Sequence, residues 1–90
     1  MERLELFHAI DDENSALVRR LIVDRDLTAR VLFRNVFYPE GQSALLERGG
    51  SLPPALWTGD RLIVDVNAIV EYLRALPSLP LRGMITSPPY

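Results

Sequence analysis

The sequence predicts an α/β domain with elements in the order β-α-β-α-β-β-α, forming one four-stranded mixed sheet flanked by helices. Three observations predict it. Runs rich in β-branched and aromatic residues alternate with stretches of helical period, so the first two strands are joined by a crossover helix and must lie parallel. Gly59-Asp60 separates two short apolar runs in the manner of a hairpin turn, which makes that strand pair antiparallel. An amphipathic stretch from Asp65 to Leu76 follows and supplies a helix to cover the sheet.

Each element has a local reason. Arg3 to His8 alternates around Leu4, Leu6 and Phe7, the pattern of a strand. Asp11-Asp12-Glu13-Asn14-Ser15 is a run of short polar side chains suited to cap and charge a helix N-terminus. That helix is expected to reach about Arg25, with Leu17, Val18, Leu21 and Ile22 on its buried face. Arg19, Arg20 and Asp24 occupy the other face, and Val23 lies off the stripe toward the second strand. Ala29 to Val36 is rich in β-formers and reads as the second strand. Phe37-Tyr38-Pro39-Glu40-Gly41 interrupts it, and a short helix from about Gln42 to Arg48 ends at Gly49-Gly50. The hairpin strands are Ala55–Trp57 and Arg61–Val64. Asp65 caps the last helix, with Val64 and Ile69 placed as a hydrophobic staple and Ala68, Ile69, Tyr72, Leu73 and Leu76 as the buried stripe. Pro77 ends it, and the proline-rich tail 77–90 is expected to be extended or disordered.

Composition narrows the function. With 90 residues, 48% of them hydrophobic and 24% charged, the chain is expected to form one small globular domain over residues 1–76. Its core is modest, so a homodimer or a companion domain would add useful burial. Net charge is −2 with acids and bases interleaved along the sequence, unlike a nucleic-acid-binding chain. There is no cysteine, which excludes disulfides, thiolate metal sites and a cysteine redox cycle. No window approaches the roughly 20 apolar residues of a membrane span. The first residues alternate charge and so lack a signal peptide's apolar core. The expected setting is the cytoplasm, with neither membrane nor nucleic acid as partner.

Pro54-Ala55-Leu56, the Gly59-Asp60 turn and Asn67-Ala68-Ile69-Val70-Glu71-Tyr72-Leu73 carry a more specific signal. In this order they resemble the second half of a thioredoxin-like fold, in the version found in glutathione transferase N-terminal domains and glutaredoxin-like proteins. Residues 3–76 follow that family's element order. The resemblance implies thioredoxin-like βαβαββα architecture, a cis bond at Pro53–Pro54, and a thiol ligand, glutathione, held beside it.

At each of the three contact positions the sequence departs from the family. The catalytic position at the first helix corresponds to Asp12-Glu13-Asn14-Ser15, so aspartate replaces the leading cysteine and Ser15 alone could meet glutathione's sulfur. The residue before the cis proline, whose N–H and C=O pair with the ligand in the family, is Pro53, which has no N–H. A ligand held there loses one anchoring bond, about 0.5–1.5 kcal/mol. The Glu-Ser pair that binds the γ-glutamyl carboxylate is here Asp65-Val66, and valine has no hydroxyl. The amides of Val66 and Asn67 could still receive an anion, although the Asp65 carboxylate is expected to occupy them.

The candidate ligand-binding residues are thus Asp12, Ser15, Pro53, Pro54, Asp65 and Val66, with Ser15 catalytic only if the chain is transferase-like. The leading expectation is a non-redox binding module with a protein partner and no cofactor. The alternative is a degenerate transferase-like domain that binds glutathione or another thiol. Four other features have readings of their own. His8 beside Asp11, Asp12 and Glu13 is expected to be a hydrogen-bonded strand end, not a metal ligand. Trp57 is expected to pack under the last helix, Phe37-Tyr38 would mark a binding surface if exposed, and Pro88-Pro89-Tyr90 is expected to be plain tail.

Overall fold

The structure, a computed structural model, describes residues 4–76. Arg3 and the tail 77–90, on which an extended or disordered segment was expected, lie outside the described residues. The elements are β1 (Leu4–His8), α1 (Glu13–Asp24), a 3-10 turn (Thr28–Arg30), β2 (Val31–Asn35), α2 (Pro39–Glu47), β3 (Ala55–Trp57), β4 (Leu62–Ile63) and α3 (Val66–Ala75). They form a mixed α/β domain around a four-stranded sheet in the order β2-β1-β3-β4. β1 pairs parallel with β2, Leu6 opposite Phe33, and antiparallel with β3, Leu6 opposite Leu56. β3 and β4 form the antiparallel hairpin. Gly59 supplies the positive φ of 110° at its turn, while Thr58 closes it through its N–H to the Arg61 carbonyl and its hydroxyl to Asp60.

The pleat of β1 sorts the core into two layers. Leu4 and Leu6 join Val18, Ile22, Leu27, Leu56, Ile69 and Leu73 beneath α1 and α3. Phe7 points the other way and meets Leu45 of α2 and Ala55. Each large apolar side chain so buried contributes about 1.5–3 kcal/mol. Glu5 shares the α2 face with Phe7, where Arg34 of β2 and Arg48 at the end of α2 bind its carboxylate at 3.0 and 2.9 Å.

Several local expectations are corrected. Leu17 is not on the buried face of α1 but 51% exposed, because Ser15, Val18 and Ile22 form the inward stripe and, among the described residues, no element packs beyond edge strand β2. The second strand is shorter than expected, since Ala29 belongs to the 3-10 turn. α2 begins earlier, at Pro39, because proline at the first helical position loses no hydrogen bond the helix would have used. Its far end closes with Gly50 N–H to the Leu45 carbonyl and Gly49 N–H to that of Leu46, with Gly49 at φ 91°. Trp57 does not pack under the last helix. Strand alternation turns Leu56 to that face and Trp57 to the α2 face, where the Arg48 guanidinium stacks 4.5 Å from its ring centre. Val64 is exposed and makes no staple, while Val66 packs against the core.

Candidate functional site

Strand direction decides where the residues singled out from the sequence meet. β1, β2 and β4 end, and β3 begins, at the same end of the sheet. The starts of α1, α2 and α3 follow β1, β2 and β4 there. In open α/β sheets, ligands bind at this end, outside the carboxyl ends of the strands.

Asp12 is the N-cap of α1, its carboxylate accepting from the Ser15 N–H at 2.7 Å. The Ser15 side chain is wholly buried, and its Oγ accepts from the Ala9 N–H at 3.1 Å, pinning the loop between β1 and α1. Pro53 and Pro54 are joined by a cis bond, as the resemblance implies; Pro54 is buried and Pro53 half-buried. Asp65 caps α3, but its carboxylate reaches the Ala68 amide at 3.0 Å and not those of Val66 and Asn67. An N-cap oxygen accepts from the second or third helical amide, never the first, and here it takes the third.

Four of the six residues come together. Pro53, Pro54, Asp65 and Val66 line an open groove of about 550 Å³, with Asn14 and Leu52 among its other walls. Asp12 and Ser15 do not line it. Asn14 and the segment from Gly49 to Leu52 are additions that sequence reasoning missed. Their signal was position: Asn14 follows the cap by two residues, and Gly49 to Leu52 lead directly into Pro53. Around this groove the same end exposes Ile10, Phe37, Tyr38, Leu52 and Val64, five of the eight large hydrophobic side chains left exposed among the described residues.

His8 ends β1 nearby. It is 7% exposed, its ring stands edge-on to Phe33, and its Nδ1 receives the Arg19 guanidinium at 3.1 Å. Arginine can only donate, so Nδ1 carries the lone pair and the neutral ring holds its proton on Nε2. Burial, and then the Arg19 charge, hold its pKa below the usual histidine value. The hydrogen-bonded strand end is what the sequence suggested. Arg19 also donates to the Ala9 carbonyl at 3.1 Å, so the pair braces the loop. Among the described residues, no three His, Asp or Glu side chains gather as a metal site. None of their buried side-chain polar atoms lacks a hydrogen-bond partner. The groove offers an apolar wall, two prolines, the Asp65 carboxylate and the Ser51 hydroxyl.

Compared with protein-family models and with curated proteins, the chain matches none. No helix among the described residues is long and apolar enough to cross a membrane.

Proposed function

We propose that this protein is a non-redox, thioredoxin-like binding module of the cytoplasm that docks another protein on the strand-end face around Pro53 and Pro54. One observation carries the reading: an apolar rim of Ile10, Phe37, Tyr38, Leu52 and Val64 gathers on the end where α/β sheets bind ligands. Exposed Phe37-Tyr38 meets the condition set for a binding surface. The fold resemblance supplies the scaffold, and the losses at Asp12, Pro53 and Val66 remove the thiol chemistry from it. Comparative affinity capture tests the reading, using the wild-type chain, a Phe37→Ser/Leu52→Ser/Val64→Ser variant and a Val23→Ser/Leu46→Ser control. A protein retained by wild type and control but lost from the rim variant is expected. Retention of the same proteins by all three overturns it.

The groove beside Pro53, Asp65 and Val66 favours a second reading, a degenerate transferase half that holds glutathione. Against it stands the Ser15 hydroxyl, which is buried and already bound to the Ala9 amide. Amide shifts on glutathione titration separate the two. Saturable shifts at Ser15, Ala55 and Val66 at millimolar thiol would establish the second reading; silence there removes it.

A further inference from the structure

The rim that serves the proposed docking carries charge of one sign. The four segments that build this end, residues 9–16, 36–42, 49–54 and 64–68, hold Asp11, Asp12, Glu13, Glu40 and Asp65 and not one arginine. The chain contains no lysine, and all ten of its arginines fall outside these segments, against seven remaining acids. Among the described residues, this leaves an acidic end and a basic remainder of eight arginines against six acids. Arg19 approaches from the flank of α1, but its guanidinium is turned onto His8 and the Ala9 carbonyl.

Four of the five stand at helix starts, Asp12 and Asp65 as caps and Glu13 and Glu40 in first turns, where the dipole favours acids, yet their charge exceeds what the helix ends offset. Three helix N-termini meet at this end, and each is equivalent to about half a positive charge. Together they offset about 1.5 of the five negative charges. Asp12 and Asp65 are occupied as caps, whereas Asp11, Glu13 and Glu40 are exposed. Apolar and acidic side chains alternate there: Ile10 beside Asp11, Tyr38 two residues from Glu40, and Val64 beside Asp65.

We infer that the occupant of this face is a basic segment of another protein, in which lysine or arginine alternates with large apolar residues. The apolar side chains seat on Ile10, Phe37, Leu52 and Val64, and the cations meet Asp11, Glu13 and Glu40. The same charges exclude the competing occupants. Nucleic acid and anionic lipid are repelled, and a second copy docked face to face would set five acids against five. The inference rests on the binding-module reading and adds the partner's chemistry to it.

Its test uses three synthetic peptides of about twelve residues with one pattern of Leu and Phe, alternating with Lys, Gln or Glu. The lysine peptide is expected to bind at least about tenfold tighter than the glutamine one in low salt, to weaken as salt rises, and to shift the amides of Ile10, Phe37, Leu52 and Val64. Asp11→Asn/Glu13→Gln/Glu40→Gln is expected to erase that preference while the fold, checked by circular dichroism, persists. Equal binding of the three peptides at the rim, or a preference for the glutamate one, overturns the basic partner and leaves the docking face standing. Absence of rim shifts with all three overturns both.

Discussion

At Ser15 a hydroxyl stands where the family resemblance looks for thiol chemistry, and its oxygen is already engaged by the buried Ala9 amide. Removing it orphans a buried N–H, so Ser15→Ala should lower stability by about 1–3 kcal/mol in urea unfolding. A serine free for a ligand would give almost no change. Asp12→Ala should cost about 1 kcal/mol as a lost cap. His8 makes a second prediction at this scale. Its pKa is depressed on folding, so between that lowered value and the ordinary 6.5 the unfolded chain binds more protons than the folded one. Stability is therefore full above about pH 6.5 and falls as pH drops below it. His8→Asn, whose side-chain carbonyl can accept from Arg19 but does not titrate, should flatten stability over that window when Tm is followed against pH.

Among the elements, α2 is held to the sheet by the packing of Leu45 on Phe7 and the Arg48–Trp57 stack, and also by one carboxylate and one close approach. Burial raises the Glu5 pKa, but hydrogen bonds from Arg48 and Arg34, with their charges, outweigh it and hold the carboxyl below its usual 4.5. This stabilisation is present above pH 4.5 and is lost as the solution is acidified through the lowered value, a second acid step below that of His8. Glu5→Gln should remove the lower step and cost about 1.5–3 kcal/mol at neutral pH, since it weakens charge-assisted bonds that join β1, β2 and α2. The close approach is at Gly41, where a Cβ would collide with the Asn35 carbonyl oxygen. Gly49 has open space but a φ of 91°. Gly49→Ala should therefore cost about 1 kcal/mol, and Gly41→Ala more, because backbone must move. Equal costs in chemical unfolding would contradict this account of α2 docking.

For the molecule as a whole, stability and docking fall on different residues. The two core layers run through Leu6, Ile22, Ile69 and Phe7, while Phe37, Leu52 and Val64 stand in solvent. Substituting these three with serine should change stability by no more than about 0.5 kcal/mol per site while abolishing capture of a partner. A large drop in Tm would mean that the rim belongs to the core.

The sequence by itself determined the element order, the parallel and antiparallel pairings, the caps at Asp12 and Asp65 and the absence of cysteine. These follow from short-range causes: hydrophobic period, turn residues and the presence or absence of a functional group. Tertiary structure alone decided that Leu17 faces outward, that Trp57 stacks on Arg48, that Ser15 is sealed, and that five scattered acids share one end with an apolar rim. Each of these depends on which strand lies beside which and on where the neighbouring element stops, and a local pattern carries no information about either. Interleaved charges look neutral along a chain; strand direction sorts them in space.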